Sequence, residues 1–231
     1  MTRFSIQHHQ VIESALNNFN ADFFYENKIL FGGGTRIALD LNEFRTSIDI
    51  DFLCPDKSSY RAVRGEVTNV SLGNLVKQEF EYPREISFSR DAVRTFILVG
   101  GSRIKLEFVC FDNYELDAVF DGLFPVPYID RTSCFYTKLL ANSDRCLSPP
   151  FKDIFDILAM CDHWGMIPSL AFEKAEGHYA SAVRRDLIRA VDDVLSRSCF
   201  YIEQAKSMTM SDDYARKLVN VVAPELRKTL I

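Results

Sequence analysis

Two aspartates separated by one residue are the side chains in this chain whose types and spacing most directly suggest chemistry. The segment 47–52 (SIDIDF) alternates polar and apolar residues with the two-residue period of a β-strand. Asp49 and Asp51 therefore leave one face of the strand together, while Ile48, Ile50 and Phe52 pack on the other face. Two carboxylates held this close repel each other unless a cation lies between them, and Mg²⁺ suits such oxygen ligands. The spacing predicts a Mg²⁺ site.

A glycine-rich turn precedes this strand. Three glycines, 32–34, follow the apolar run 29–31 (ILF), and residues 35–39 (TRIAL) read as a short helix. Without Cβ atoms the backbone turns sharply and approaches a ligand closely. Because a helix N-terminus also presents unpaired N–H groups, this turn is suited to binding phosphate.

The order of these features resembles a known signature. A strand, Gly-Gly-Thr, a short helix and Asp-x-Asp on the next strand resemble the DNA polymerase β-like nucleotidyltransferases. Gly33-Gly34-Thr35 followed by Arg45-x-Ser47-x-Asp49-Ile50-Asp51-Phe52 resembles, more narrowly, the AbiEii/AbiGii nucleotidyltransferase family. Members of that family include toxins of type IV and related toxin–antitoxin systems. The resemblance implies that Gly33, Gly34 and Thr35 cradle phosphates, and that Arg45 and Ser47 fix the loop or contact the nucleotide.

A third carboxylate is expected on a neighbouring strand. Residues 92–99 and 102–111 read as two strands joined through Gly100-Gly101, which predicts a β-hairpin. In the second strand Ile104, Leu106 and Phe108 share one face, and Glu107 lies on the other. The superfamily resemblance makes Glu107 our candidate third metal ligand. The alternative is an exposed hairpin on which Glu107 is only solvated.

The resemblance extends into the carboxyl-terminal half. The family tends to carry a Lys on one helix, then an Arg, then a basic residue and Asp-x-x-Asp on the next helix. This chain has Lys138, Arg145 and Lys152-Asp153-Ile154-Phe155-Asp156. The resemblance implies that Lys138 supplies positive charge to a triphosphate. Asp153 or Asp156 would orient Lys138 or Arg145, or help to activate the acceptor hydroxyl; the alternative is a helix face with ordinary ion pairs.

The pattern of elements predicts an α+β fold with two domains. An amphipathic helix occupies residues 5–20, and strand-like segments continue to about residue 111. From Arg131 the strand signals stop, and six helices are predicted at 131–147, 151–164, 169–179, 181–197, 199–206 and 211–222. We therefore predict a mixed-sheet nucleotidyltransferase core at residues 1–128 and an all-helical domain at residues 129–231.

Composition excludes several classes of protein. The chain has 231 residues and a net charge of −5. Residues 131–231 carry 14 Lys and Arg against 13 Asp and Glu, which is far below the balance of a dedicated nucleic-acid module and only permits nucleic-acid binding by that half. No apolar run is long enough to cross a membrane, and the first residues lack the apolar core of a signal peptide. The six cysteines lie far apart without a C-x-x-C pair, which favours free thiols over zinc or disulfides. We expect a cytoplasmic protein.

The functional expectation is a Mg²⁺-dependent nucleotidyltransferase. It would transfer a nucleoside monophosphate from an NTP to an acceptor hydroxyl and release pyrophosphate. The resemblance implies a toxin-like role with a cognate antitoxin, and tRNA is the acceptor to test first. The assigned catalytic residues are Asp49, Asp51, Lys138 and Asp153. The alternatives are transfer to a protein or small molecule, and a non-catalytic nucleotide-binding or interaction protein.

Overall fold

A computed structural model describes residues 3–230 of the chain. Strands and helices are mixed up to Ile129, and helices follow from Arg131. In chain order the elements are α1 (Gln7–Asn17), α2 (Ala21–Glu26), β1 (Leu30–Gly32), α3 (Gly33–Asp40), β2 (Asp49–Cys54), α4 (Lys57–Glu66), β3 (Ser87–Phe88), β4 (Ala92–Val99), β5 (Ser102–Cys110), β6 (Ala118–Val119), β7 (Tyr128–Ile129), α5 (Arg131–Asp144), α6 (Lys152–Trp164), α7 (Ser169–Tyr179), α8 (Ala182–Ser196), α9 (Ser198–Lys206), α10 (Asp212–Lys217) and α11 (Ala223–Thr229).

The strands of residues 3–230 form a seven-stranded sheet in the order β3-β4-β5-β2-β1-β7-β6. β2 runs parallel to β5 and β1 runs parallel to β7, whereas the other neighbouring strands are antiparallel. The sheet is therefore mixed. Together with the helical region that follows it, the sheet confirms the predicted α+β fold.

The predicted β-hairpin is present as β4 and β5, which pair in register from Ala92↔Val109 to Val99↔Ser102. Gly100 and Gly101 connect them with φ angles of 56° and 79°. Two consecutive residues with positive φ are what a tight two-residue hairpin turn requires, and glycine adopts them without steric cost.

Aromatic rings fill the core on the apolar face of β2. Phe52 packs against Phe24, Phe19 and Phe108, with ring centroids 4.7, 4.8 and 5.1 Å away, and none of the four is exposed to solvent. These rings hold β2 and β5 from one side. The alternation of a strand then leaves Asp49 and Asp51 on the opposite face.

Ile48 is a correction to the predicted pattern. We expected it to pack with Ile50 and Phe52, but β2 begins at Asp49 and Ile48 is 50% exposed. A residue outside the strand does not follow its alternation. The short strands β6 and β7 were also not predicted, because two residues are too few to show a period.

Contacts divide the chain into two compact units. The first unit comprises Met1–Arg36 and Ile48–Asp130, and the second comprises Ile37–Ser47 and Arg131–Ile231. The segment Ile37–Ser47 thus belongs to the second unit, although it precedes β2 in sequence. The domains 1–128 and 129–231 stay a prediction. No helix within residues 3–230 is long and apolar enough to span a membrane.

In the second unit α5 packs against α6, α7 and α8. The helix predicted at 169–179 is α7, and the others begin and end within a few residues of their predicted bounds except the last. There the chain forms α10, a π-helical turn at Leu218–Val222 and then α11. The helical conformation continues past Val222 into α11, and Pro224 lies in the first turn of α11, directly after the π-helical turn.

Candidate active site

Asp49 and Asp51 lie on the same face of β2, as the sequence predicts. In the parallel pairing with β5, Asp49 is opposite Lys105 and Asp51 is opposite Glu107. Neighbouring strands are separated by about 4.8 Å, so these four side chains form one polar patch on the sheet. All four are partly exposed, which leaves room for a ligand above the patch.

Gly33 is fitted directly against Asp51. Its φ is +70°, and a Cβ built on it would overlap the Asp51 carboxylate and lie 2.9 Å from Asp51 Cβ and Cγ. Any other L-residue here would be strained and would displace this carboxylate. The glycine turn and the Asp-x-Asp strand are therefore one structure, and the backbone at the start of α3 lies next to a carboxylate oxygen.

Thr35 fixes the other aspartate through the main chain. Its hydroxyl donates to the carbonyl oxygen of Asp49 at 2.5 Å, and the residue is buried. This bond ties the first turn of α3 to the start of β2. The predicted phosphate contact of Thr35 stays a prediction, as does that of Gly34, which is partly exposed in the same turn.

Glu107 lies on the strand next to the aspartates, as expected. Its carboxylate accepts hydrogen bonds from Arg94 Nε at 2.6 Å and from Lys105 Nζ. Burial alone would raise the pKa of Glu107, but these hydrogen bonds outweigh it and hold that pKa below its usual range. Its role as a third metal ligand stays a prediction, since a bound cation would compete with two cationic side chains.

The carboxylates of Asp49 and Asp51 suit a Mg²⁺ ion whose other ligands are phosphates and water. Within residues 3–230, no group of three or more His, Cys, Asp and Glu side chains is placed to hold a metal ion. Mg²⁺ seldom uses a cage made only of protein ligands, and binds through one or two carboxylates together with substrate phosphates and water. Asp49 and Asp51 supply such a pair of carboxylates, and the adjacent glycine turn is where phosphates would complete the ligand set.

The second unit contains a separate network of buried ion pairs. Arg45 donates to both carboxylate oxygens of Asp156, from Nε at 2.7 Å and from Nη2 at 2.9 Å, and its Nη1 donates to Thr46 O. The side chains of Arg45 and Asp156 are 1% and 0% exposed. A bidentate pair this deeply buried fixes the loop after α3 on α6.

Lys138 lies between two carboxylates of α6. Its Nζ is 2.7 Å from Asp156 and 3.0 Å from Asp153, and Asp153 also accepts from Arg145 Nε at 2.9 Å. Burial alone would lower the pKa of Lys138, but the two carboxylates outweigh it and the pKa is raised. Burial likewise favours a higher pKa for Asp153, yet Lys138 and Arg145 hold it below its usual range. These shifts favour the charged forms of Lys138 and Asp153.

Comparison with known proteins decides the assignment. The model of the family described as "Nucleotidyl transferase AbiEii toxin, Type IV TA system" matches residues 14–218. The chain belongs to this family. It is an AbiEii-family nucleotidyltransferase, which confirms the family and the enzyme class that the sequence predicted. No curated protein sequence matches the chain.

A solved structure shows the same fold. A candidate nucleotidyltransferase from H. pylori has a TM-score of 0.56 and 15% identity, covering 96% of this chain and 94% of its own. An antigenic nucleotidyltransferase-like protein from Paracoccidioides brasiliensis has a TM-score of 0.47 and 17% identity, covering 88% and 94%. The first likeness, at this low identity, shows that the AbiEii-family chain shares the nucleotidyltransferase fold.

The site residues predicted for this AbiEii-family enzyme fall into two sets. The first unit brings together Gly33, Gly34, Thr35, Asp49, Asp51 and Glu107, and the second unit contains Arg45, Ser47, Lys138 and Asp153. The sequence alone does not distinguish a functional role for Asp156 from an ordinary ion pair, and in the structure Asp156 pairs with both Arg45 and Lys138. The Asp-x-x-Asp spacing was the available signal, because it places both aspartates on one helix face.

Proposed function

We propose that this nucleotidyltransferase acts with Mg²⁺ and moves a nucleoside monophosphate from an NTP to an acceptor hydroxyl, with tRNA as the favoured acceptor. The observation that carries the proposal is the packing of Gly33 against the carboxylate of Asp51. This packing joins a phosphate-binding type of turn to a pair of metal-binding carboxylates.

Asp49 and Asp51 have the role of metal ligands in this proposal. When bound, Mg²⁺ would stabilise the negative charge on the entering and leaving oxygens of an in-line displacement at the α-phosphate. Because both aspartates lie on the same face of a rigid strand, their carboxylates are positioned before the substrate binds. Thr35 keeps Asp49 in place through its main-chain oxygen.

Gly33 has a positioning role. Because Gly33 has no Cβ, main chain rather than side chain lies beside Asp51, and a phosphate can approach the N–H groups at the start of α3. A phosphate bound there would be within reach of the same cation. Gly34 would contribute through the same turn.

Lys138 is the proposed phosphate-binding cation of the second unit. Asp153 and Asp156 hold its Nζ in one position and keep it protonated. A fixed ammonium group stabilises the charge that builds on departing pyrophosphate without reorganising during the reaction. Arg45 supports this role indirectly through Asp156, and its predicted nucleotide contact, like that of Ser47, remains part of the proposal.

A cognate antitoxin is the proposed protein partner, because the family is one of type IV toxin–antitoxin toxins. An RNA acceptor fits the chemistry, since the ribose hydroxyl at an RNA terminus is a suitable attacking group. The same reaction on a protein or small-molecule hydroxyl is the alternative.

The test is transfer of label from each of the four α-labelled NTPs to total tRNA, with and without Mg²⁺. We expect labelled RNA for the wild type, and none for Asp49→Asn, Asp51→Asn or the reaction without Mg²⁺. Glu85→Gln, which removes an exposed carboxylate from the same unit, is the matched control and should retain transfer. Label that survives nuclease and is lost with protease would reassign the acceptor to a protein. Full transfer by Asp51→Asn would refute the catalytic assignment.

A further inference from the structure

A cavity of about 510 Å³ in the first unit has a lining unlike that of the sheet patch. Four cationic side chains line it: Lys57, Arg61, Arg64 and Arg90. Its volume is in the range of cavities that bind small ligands in other proteins. A cavity with this much positive charge suits an anion.

The fold places three of the cations on one side of α4. Lys57, Arg61 and Arg64 follow one another at spacings of four and three residues, so they project from the same helix face. Residues 89–91 before β4 and 110–112 at the end of β5 form the opposite wall. The cluster is therefore fixed by a helix and two strand ends of a single unit.

Arg61 and Arg64 are the cations whose charge is not balanced locally. Among the described residues no carboxylate lies within 4.0 Å of either guanidinium, and Nη1 of Arg64 is buried without a hydrogen-bond partner. Arg64 instead stacks on Phe88, with Cζ 3.7 Å from the ring centroid. Stacking fixes the plane of a guanidinium without using its N–H groups, which remain able to donate to oxygen.

The two carboxylates that line the cavity pair with the other two cations, Lys57 and Arg90. Asp112 is 3.1 Å from Lys57 and Asp91 is 4.0 Å from Arg90, and all four of these side chains are more than half exposed. Exposed pairs of this kind are weak and rearrange easily. The net charge of the cavity lining is therefore positive, and most of this positive charge lies on α4.

Aromatic surface lies beside the cations. Phe111 lines the cavity and stacks on Tyr114 with ring centroids 4.3 Å apart, and Tyr60 is held in place because its hydroxyl donates to Ser89 O at 2.8 Å. Cationic groups next to a fixed ring are the combination that binds a phosphate together with its base.

The cavity is distinct from the carboxylate patch. Cys110 lines it and lies three residues beyond Glu107 on β5, so it projects from the opposite face of the sheet. Three residues of strand correspond to about 10 Å. A ligand in this cavity is therefore separate from one bound at Asp49 and Asp51.

We propose that the α4 cavity binds a phosphate group of a nucleotide, either free or within an RNA, through Arg61 and Arg64, with the base against Phe111. The site does not depend on the proposed reaction, because none of its residues belongs to the carboxylate patch or to the buried ion-pair network.

The test is equilibrium binding of two probes to the full chain without divalent cations, which removes the metal-dependent nucleotide site. The probes are AMP and a short single-stranded RNA. We expect Arg61→Gln/Arg64→Gln to lose at least roughly tenfold in affinity and to lower the salt dependence of binding by about one to two in log–log slope. Arg61→Lys/Arg64→Lys should lose less, because charge is kept while the planar fork is lost.

Arg216→Gln is the matched control, since it removes one exposed positive charge from α10. If the wild type binds AMP and the double variant does not, the site binds a free nucleotide. If the wild type binds the RNA but not AMP, and the double variant loses RNA binding, the site binds RNA. Should the double variant not fold, Arg61→Gln carries the test, because Arg61 is exposed and its removal leaves no buried partner. Unchanged affinity in the variants, an equal loss in Arg216→Gln, or no binding of either probe would overturn the proposal.

Discussion

Replacing Asp156 by Asn tests whether the buried network holds the second unit together. Asp156 is fully buried and its carboxylate faces three donors: Nε and Nη2 of Arg45 and Nζ of Lys138, at 2.7, 2.9 and 2.7 Å. Asn keeps the shape but loses the charge and one acceptor oxygen. Arg45 and Lys138 then lose the carboxylate that they share, while Lys138 keeps its pair with Asp153.

The expected cost follows from burial. Removing one partner of a buried ion pair costs about 3–5 kcal/mol, because the remaining charge stays out of water without compensation. Asp153→Asn should cost less, about 1–3 kcal/mol, because Lys138 keeps Asp156 and because Arg145, whose side chain is 59% exposed, returns to water. The order of the two variants is therefore a stronger prediction than either value.

Urea unfolding followed by tryptophan fluorescence measures this directly, since Trp164 is the single tryptophan and ends the helix that carries Asp156. Glu203→Gln is the control: its pair with Lys206 is exposed, so its loss should leave the unfolding free energy nearly unchanged. A cost for Asp156→Asn equal to that of the control, or smaller than that of Asp153→Asn, would refute the reasoning.

Four further predictions concern catalysis, the turn and pH. Asp51→Asn should lower transfer at least about a hundredfold, measured with labelled NTP, because a ligand of the proposed metal is lost. Gly33→Ala should abolish transfer while Gly100→Ala, equally strained by its positive φ but with open space around it, should retain it. Lys138→Ala should lower single-turnover transfer by roughly 10²–10³ and NTP affinity much less; equal losses would place it in ground-state binding. Burial would raise the pKa of Asp153, but its cationic partners hold that pKa below the unfolded value of about 3.9. The stabilisation by Asp153 is therefore complete above about pH 4 and is lost at lower pH. The difference in unfolding free energy between wild type and Asp153→Asn should accordingly shrink below about pH 4.

Local patterns were sufficient to predict the sheet face that carries the carboxylates. The alternation of polar and apolar residues over 49–52 placed Asp49 and Asp51 on one face of a strand. The hairpin turn at Gly100-Gly101 placed Glu107 on a second strand, which is β5. The family resemblance supplied the adjacency of that strand to β2, which the register Asp51↔Glu107 bears out. A two-residue period and a turn motif are properties of neighbouring residues, so a single sequence shows them.

Pairings over long sequence distances were not accessible in this way. Arg45 and Asp156 are 111 residues apart, and nothing in the loop before β2 indicates that its arginine is buried in a helical unit. We predicted that Arg45 fixes the loop or contacts the nucleotide, and the structure shows its guanidinium occupied by Asp156. The same holds for the overlap of a Gly33 Cβ with Asp51, which depends on how β1 and β2 pair.

The buried network also bears on why a lysine occupies position 138. A buried ion pair seldom stabilises a protein more than apolar side chains of similar size would, because desolvation offsets the attraction. Stability alone therefore does not account for Lys138, Asp153 and Asp156 together. What two carboxylates do provide is a lysine that stays protonated and whose Nζ is held at one point. A phosphate-binding group benefits from both properties, since a flexible exposed lysine would lose conformational entropy when it binds. An apolar replacement of these three side chains together with Arg45, which otherwise loses the carboxylate of Asp156, should therefore spare folding more than it spares transfer. This difference distinguishes a positioned cation from a structural ion pair.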